Sequence, residues 1–165
     1  MERAAGHGHA ASVLDLGQLR LGFADGRPPE QLDDDTGELV AKVSAAEAVI
    51  LATPIYRATL TGALKNALDL LPVEALKDKP VGIVSMGATL HHFLGAESHL
   101  RDILAWFGAL TAPNGVYLSS ADFEKGVLTE NAATRLDDLV AALERLATAA
   151  ASGPLGPTPL AAQRH

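Results

Sequence analysis

The chain is 165 residues long with 48% hydrophobic and 20% charged residues, enough for one domain with a sizeable buried core. A formal net charge of −7 opposes non-specific binding to nucleic acid, whose phosphates would be repelled. No cysteine is present for disulfides, thiolate catalysis or cysteine-based metal centres, no apolar run spans a bilayer, and MERAAGHGHA does not form a secretory leader, so a cytoplasmic location is expected.

In chain order, residues 12–16 (SVLDL) predict a short strand, and residues 17–35, with Gly22, Gly26, Pro28 and Pro29, a long loop. Leu39, Val40 and Val43 then recur at helical spacing, with Asp33, Asp34 and Asp35 placed to cap the helix and oppose its dipole. Residues 48–52 (AVILA) form a continuous apolar run, the pattern of a strand buried on both faces. A second amphipathic helix carries Leu60, Leu64, Ala67, Leu68 and Leu71. Residues 80–86 (PVGIVSM) are another buried strand. The helix after it has the clearest stripe, with Leu100, Ile103, Leu104, Phe107 and Leu110 on one side. Residues 116–119 predict a further strand. Thr129 is placed to cap a last helix with the stripe Leu136, Leu139, Val140, Leu143 and Leu146. The domain is therefore assigned to residues 1–150, with 151–165 a Pro- and Gly-rich flexible tail.

Strands alternating with helices of this length imply right-handed crossovers and a mostly parallel sheet covered on both faces. Ligands of such sheets bind beyond the carboxyl ends of the strands. Two segments leave strands there with unusual composition. In TPIYRATLTG, Pro54 turns the chain outward and Ile55, Tyr56 and Arg57 offer apolar, aromatic and basic surface. In MGATLHH, Gly87 and Ala88 permit close approach to the backbone by a flat ligand. Two ordinary βα loops with a stray tyrosine account for the composition equally well.

The segments ATPIYRATLTGALKNALDLLP, ALKDKPVGIVSMGAT and LAWFGALTAPNGVY resemble the NADPH-dependent FMN reductases, nearest to the flavin reductase component of two-component alkanesulfonate monooxygenases. The resemblance runs from about Leu14 to about Leu146. It implies a flavodoxin-like α/β fold with a doubly wound parallel sheet, an FMN reductase activity using NADPH or NADH, and hydride transfer from the nicotinamide to flavin N5. It places the cofactor against Thr53, Pro54, Ile55, Tyr56 and Arg57 on one side and Gly87, Ala88 and Thr89 on the other, with no catalytic side chain required. It further implies a homodimer or homotetramer packed through the helix bearing Lys65, Asn66 and Asp69, for which a solvated polar face is an equal alternative, and a flavin-dependent monooxygenase as a partner for reduced flavin.

Two departures qualify the resemblance. The family's Ser- and Arg-rich phosphate turn, and the central first strand before it, have no counterpart; residues 1–10 look like the end of the helix that should come after that turn. Without the central strand, residues 12–16 and 48–52 would lie roughly 9.5 Å apart with unpaired backbone between them, and the favoured explanation is a natural chain that starts upstream. Loss of three phosphate hydrogen bonds predicts FMN binding weaker by about a thousandfold or more. Leu60 stands where the alkanesulfonate-type reductase carries an inserted tyrosine in a π-helical bulge.

Other features carry weaker signals. His7 and His9 are read as a frayed terminus rather than a metal site, and His99 as a helix-surface residue. His91 and His92 either contact nucleotide phosphate or face solvent. Gly6-x-Gly8 precedes a strand and so fails the dinucleotide fingerprint. Asp33, Asp35 and Gly37 fit helix capping better than calcium binding. Arg27 in the long loop could reach a site or a subunit partner. A non-catalytic flavodoxin-fold assembly module that has lost its flavin site is the rival to the enzyme; an electron-carrier flavodoxin is weaker.

Overall fold

The computed structural model describes residue 6 and residues 8–163; the side chain of His91 is not among those described. Within it, β1 (Val49–Pro54) lies parallel to β2 (Pro80–Met86), in register from Val49 opposite Val81 to Pro54 opposite Met86. On the other side of β2 run two short parallel strands, β3 (Leu110–Thr111) beside its start and β4 (Val116–Leu118) beside its end. They are one strand interrupted at residues 112–115. Glu97 and Arg101 fill the interruption: Arg101 donates to the carbonyls of Ala112 and Pro113, and the Gly115 amide donates to Glu97. This mixed α/β architecture with a parallel sheet agrees with the flavodoxin-like class expected from the sequence.

Strand alternation sorts the side chains onto two faces. Leu51, Val81 and Ile83 pack with residues of α1 (Thr36–Ala45), α2 (Gly62–Asp69) and α3 (Gly95–Phe107) in one core cluster. Val84, Val116 and Leu118 pack with Leu139 and Leu143 of α4 (Glu130–Ala150) in a second. Gly82 lets α4 settle closely, since a Cβ there would stand 3.2 Å from both leucines.

The apolar stripes behave as their spacing dictates. Leu60, Leu64, Ala67, Leu68 and Leu71 are all buried, and the Thr61 hydroxyl caps α2 by accepting from the Leu64 amide. Thr129 caps α4 in the same way, from the Ala132 amide. Helix α3 carries its stripe only as far as Phe107. Gly108, at φ 70°, ends it in a left-handed turn, so Leu110 belongs to β3 and not to the helix. Pro159 of the C-terminal segment packs against that glycine.

Three further sequence expectations need correction. Residues 12–16 form no strand; Leu14 and Leu16 instead rest on the first core from an irregular segment. Strand β1 is not covered on both faces: its burial alternates, and Ile50 is 43% exposed. The helix that covers β2 and β4 on that side does not cover Ile50 and Ala52. Finally, Asp35 stands at the N-cap of α1 without a side-chain bond to the helix. Asp34 accepts from the Thr36 and Gly22 amides, and Asp35 from the Arg20 amide, so the acidic run staples the long loop to the helix start. The expected helix end over residues 1–10 falls largely outside the described residues.

Candidate functional site

The parallel register of β1 and β2 sends both predicted segments out at one rim. The Ile55 amide donates to the Met86 carbonyl and the Gly87 amide to the Leu118 carbonyl, so the ends of β1, β2 and β4 are level. Each segment then forms a turn of different character.

After β1, Thr53 points inward: its hydroxyl donates to the Pro54 carbonyl and accepts from the Thr61 amide, which fixes the path from strand to helix. Tyr56 and Thr59 exchange backbone hydrogen bonds of 3.0 and 3.2 Å around Arg57 and Ala58. Those two central residues have φ of 51° and 65°, the left-handed pattern of a type I′ turn built without glycine. Each such residue costs about 1–2 kcal/mol, so the turn must be held by its surroundings. Two contacts do so. Gly95 backs onto the turn so closely that a Cβ there would lie 2.8 Å from the Ala58 carbonyl oxygen. Thr59 Oγ1 and His99 Nδ1 share a 2.6 Å hydrogen bond. Tyr56 stands out from the turn, 64% exposed, and the amides of Arg57 and Ala58 have no bonding partner among the described residues.

After β2, the turn at Gly87, Ala88 and Thr89 carries no left-handed residue. Gly87 makes room for a side chain: a Cβ there would collide with the Tyr117 hydroxyl, which donates to the Thr89 carbonyl. Tyr117 is itself anchored, its carbonyl accepting from Arg135, whose guanidinium also pairs with Asp122. Burial alone would raise the Asp122 pKa, but the Ser119 amide and hydroxyl and the Arg135 charge together hold it below the usual aspartate value. The hairpin of β5 (Phe123–Glu124) and β6 (Val127–Leu128) comes next. Its Lys125–Gly126 corner has both residues at positive φ, and only the glycine marks it in the sequence.

Residues 1–124 match the NADPH-dependent FMN reductase family. The chain belongs to this family. An NAD(P)H-dependent FAD/FMN reductase of Geobacillus thermodenitrificans is 38% identical over 119 residues, covering 72% of this chain and 64% of the relative, so the chain spans just under two thirds of that protein. The NADH-dependent FMN reductase SfnF of Pseudomonas putida is 32% identical over 150 residues, 86% of this chain and 81% of the relative. Among solved structures, the apo form of the NADH:FMN oxidoreductase EMOB superposes with a TM-score of 0.58 at 27% identity, over 79% of this chain and 67% of that one.

In this family member, Pro54, Ile55, Tyr56 and Arg57 leave the sheet at the same rim as Gly87, Ala88 and Thr89. Leu90, Phe93 and Leu94 beyond the second turn are also exposed there. His92 is exposed on the short turn Leu90–His92. Other candidates resolve structurally. His9 bonds Glu144 and Arg27 bonds Asp25 within its own loop; His7 lies outside the described residues. Asn66 is not a free polar face residue, because its amide group ties down Gly22 and Ala24 of the long loop, while Lys65 pairs with Asp69. Leu60 is buried before the start of α2. The residue that sequence reasoning undervalued is His99, whose partner lies 40 positions away. Among the described residues no helix is long and apolar enough to cross a membrane.

Proposed function

We propose that this chain is an NAD(P)H-dependent FMN reductase whose flavin lies between the Tyr56 turn and the Gly87 turn. The observation that carries the reading is the shared rim, where an exposed aromatic and unpartnered backbone amides stand beside β1 and a turn tied by Tyr117 stands beside β2. These groups suit a flat ring with an acceptor-rich edge. Tyr56 and Ile55 supply apolar area, the amides of Arg57 and Ala58 are free to donate, and Arg57 presents a guanidinium with no carboxylate partner among the described residues. Thr53, buried and bonded within the segment, supports the turn from below. When bound, FMN supplies the hydride-accepting centre; the chain's residues orient it and limit access by water. Leu90, Phe93 and Leu94 extend the apolar rim where a nicotinamide could stack.

The extension of this reading is a homodimer or homotetramer that delivers reduced flavin to a flavin-dependent monooxygenase or another acceptor. Support for assembly comes from a groove of about 390 Å³ lined by Lys65, Leu68, Asp69, Asp102, Ile103 and Trp106, the last 60% exposed. The groove lies between α2 and α3, away from the rim.

Absorbance titration with FMN, then NADPH and NADH oxidation with and without added flavin, tests the proposal. Saturable binding and flavin-dependent oxidation are expected. A second reading, a non-catalytic assembly module, is favoured by the uncovered Ile50 and Ala52 strip; it predicts neither binding nor oxidation.

A further inference from the structure

We propose that His99 is a positioning residue for the cofactor turn: through its bond to Thr59 it holds the 56–59 turn, with Arg57 and Ala58 left-handed, and so sets where Tyr56 and the Arg57 amide stand. The inference deepens the flavin site proposed above and rests on it. Three observations converge. The turn places two consecutive non-glycine residues at positive φ, a conformation their own chemistry does not favour. Among the described residues, the 2.6 Å contact between Thr59 Oγ1 and His99 Nδ1 is the one side-chain hydrogen bond made to the turn. His99 projects from the first turns of α3, and Gly95, one helical turn earlier, presses the same helix against the Ala58 carbonyl. One helix thus meets the turn at two places four residues apart, with a polar tie at Thr59 and a steric stop at Ala58. The stop limits how far the turn can approach the helix; the tie limits how far it can swing away. Both are needed because an exposed four-residue turn with only its own two backbone bonds opens readily.

A histidine is suited to this task. Its ring is stiff, with two side-chain torsions, and either ring nitrogen state can share a hydrogen with a hydroxyl, since the threonine is both donor and acceptor. The tie therefore constrains geometry without committing the turn to one charge.

The test combines a flavin-free and a flavin-bound readout on the full chain. His99→Ala and Thr59→Val each remove the bond, while His99→Asn and Thr59→Ser retain a polar partner. Amide hydrogen exchange at Tyr56 and Thr59 is expected to quicken in the first pair and recover in the second, with the β2 amides unchanged. FMN affinity, read by fluorescence quenching, is expected to fall about two- to tenfold in His99→Ala, and the double variant to lose no more than either single one. Unchanged exchange at Tyr56 and Thr59 in His99→Ala overturns the proposal, as does quickened exchange with unchanged FMN affinity. If the unaltered chain binds no FMN, the flavin-site reading fails; the exchange measurement then still decides whether His99 holds the turn.

Discussion

The two turns at the rim solve one problem in opposite ways. The Tyr56 turn is strained and lacks glycine, and it is held from outside by α3 through Gly95 and His99. The Gly87 turn is relaxed, and its glycine makes room for the tyrosine that ties it. In the first, glycine sits on the support; in the second, on the turn itself. A strained turn needs its support to keep its shape, whereas a relaxed one needs only to avoid collision.

Replacing each glycine sharpens this contrast. Gly95→Ala sets a methyl 2.8 Å from the Ala58 oxygen, with backbone on both sides and no side chain to yield. It should cost about 1–3 kcal/mol, read by thermal denaturation, and weaken FMN binding more than any other change here. Gly87→Ala meets only the end of Tyr117, which can swing aside at the loss of its bond to Thr89. A loss of about 1 kcal/mol is expected, partly restored in the Gly87→Ala, Tyr117→Phe double variant. Equal losses from the two alanine substitutions would break the comparison.

Ala58→Gly should raise stability by about 0.5–1 kcal/mol, because glycine takes φ 65° without steric cost, while Ala88→Gly should give no such gain. The smallest effect concerns the support of the second turn. Asp122 has its pKa lowered in the folded chain, so its contribution to stability is complete above the unfolded aspartate value and is lost as pH falls through the folded one. Melting temperature should therefore drop below about pH 4 more steeply in the unaltered chain than in Asp122→Asn.

Much of this was legible in the residues because it depends on period and punctuation. The stripes of α2, α3 and α4, the cap at Thr129 and the bounds of β2 are set by spacing, and both rim segments are marked by the residues directly after an apolar run. The illegible part depends on partners distant in sequence. Residues 12–16 have the composition of a strand, yet no neighbour pairs with them among the described residues, so their leucines pack on the core from irregular backbone. AVILA reads as doubly covered because an apolar run cannot report which helices lie over it. The contact between Gly87 and Tyr117 gave no signal either, since the two lie 30 residues apart. His99 gave no local signal at all, and Leu110 continued a helical rhythm that Gly108 had already ended.

Strand β1 has a consequence for anyone handling this polypeptide. Among the described residues it pairs on one side only, and its uncovered Ile50 lies beside that free edge. An unpaired strand edge beside aliphatic surface is the kind of margin on which extended backbone can add.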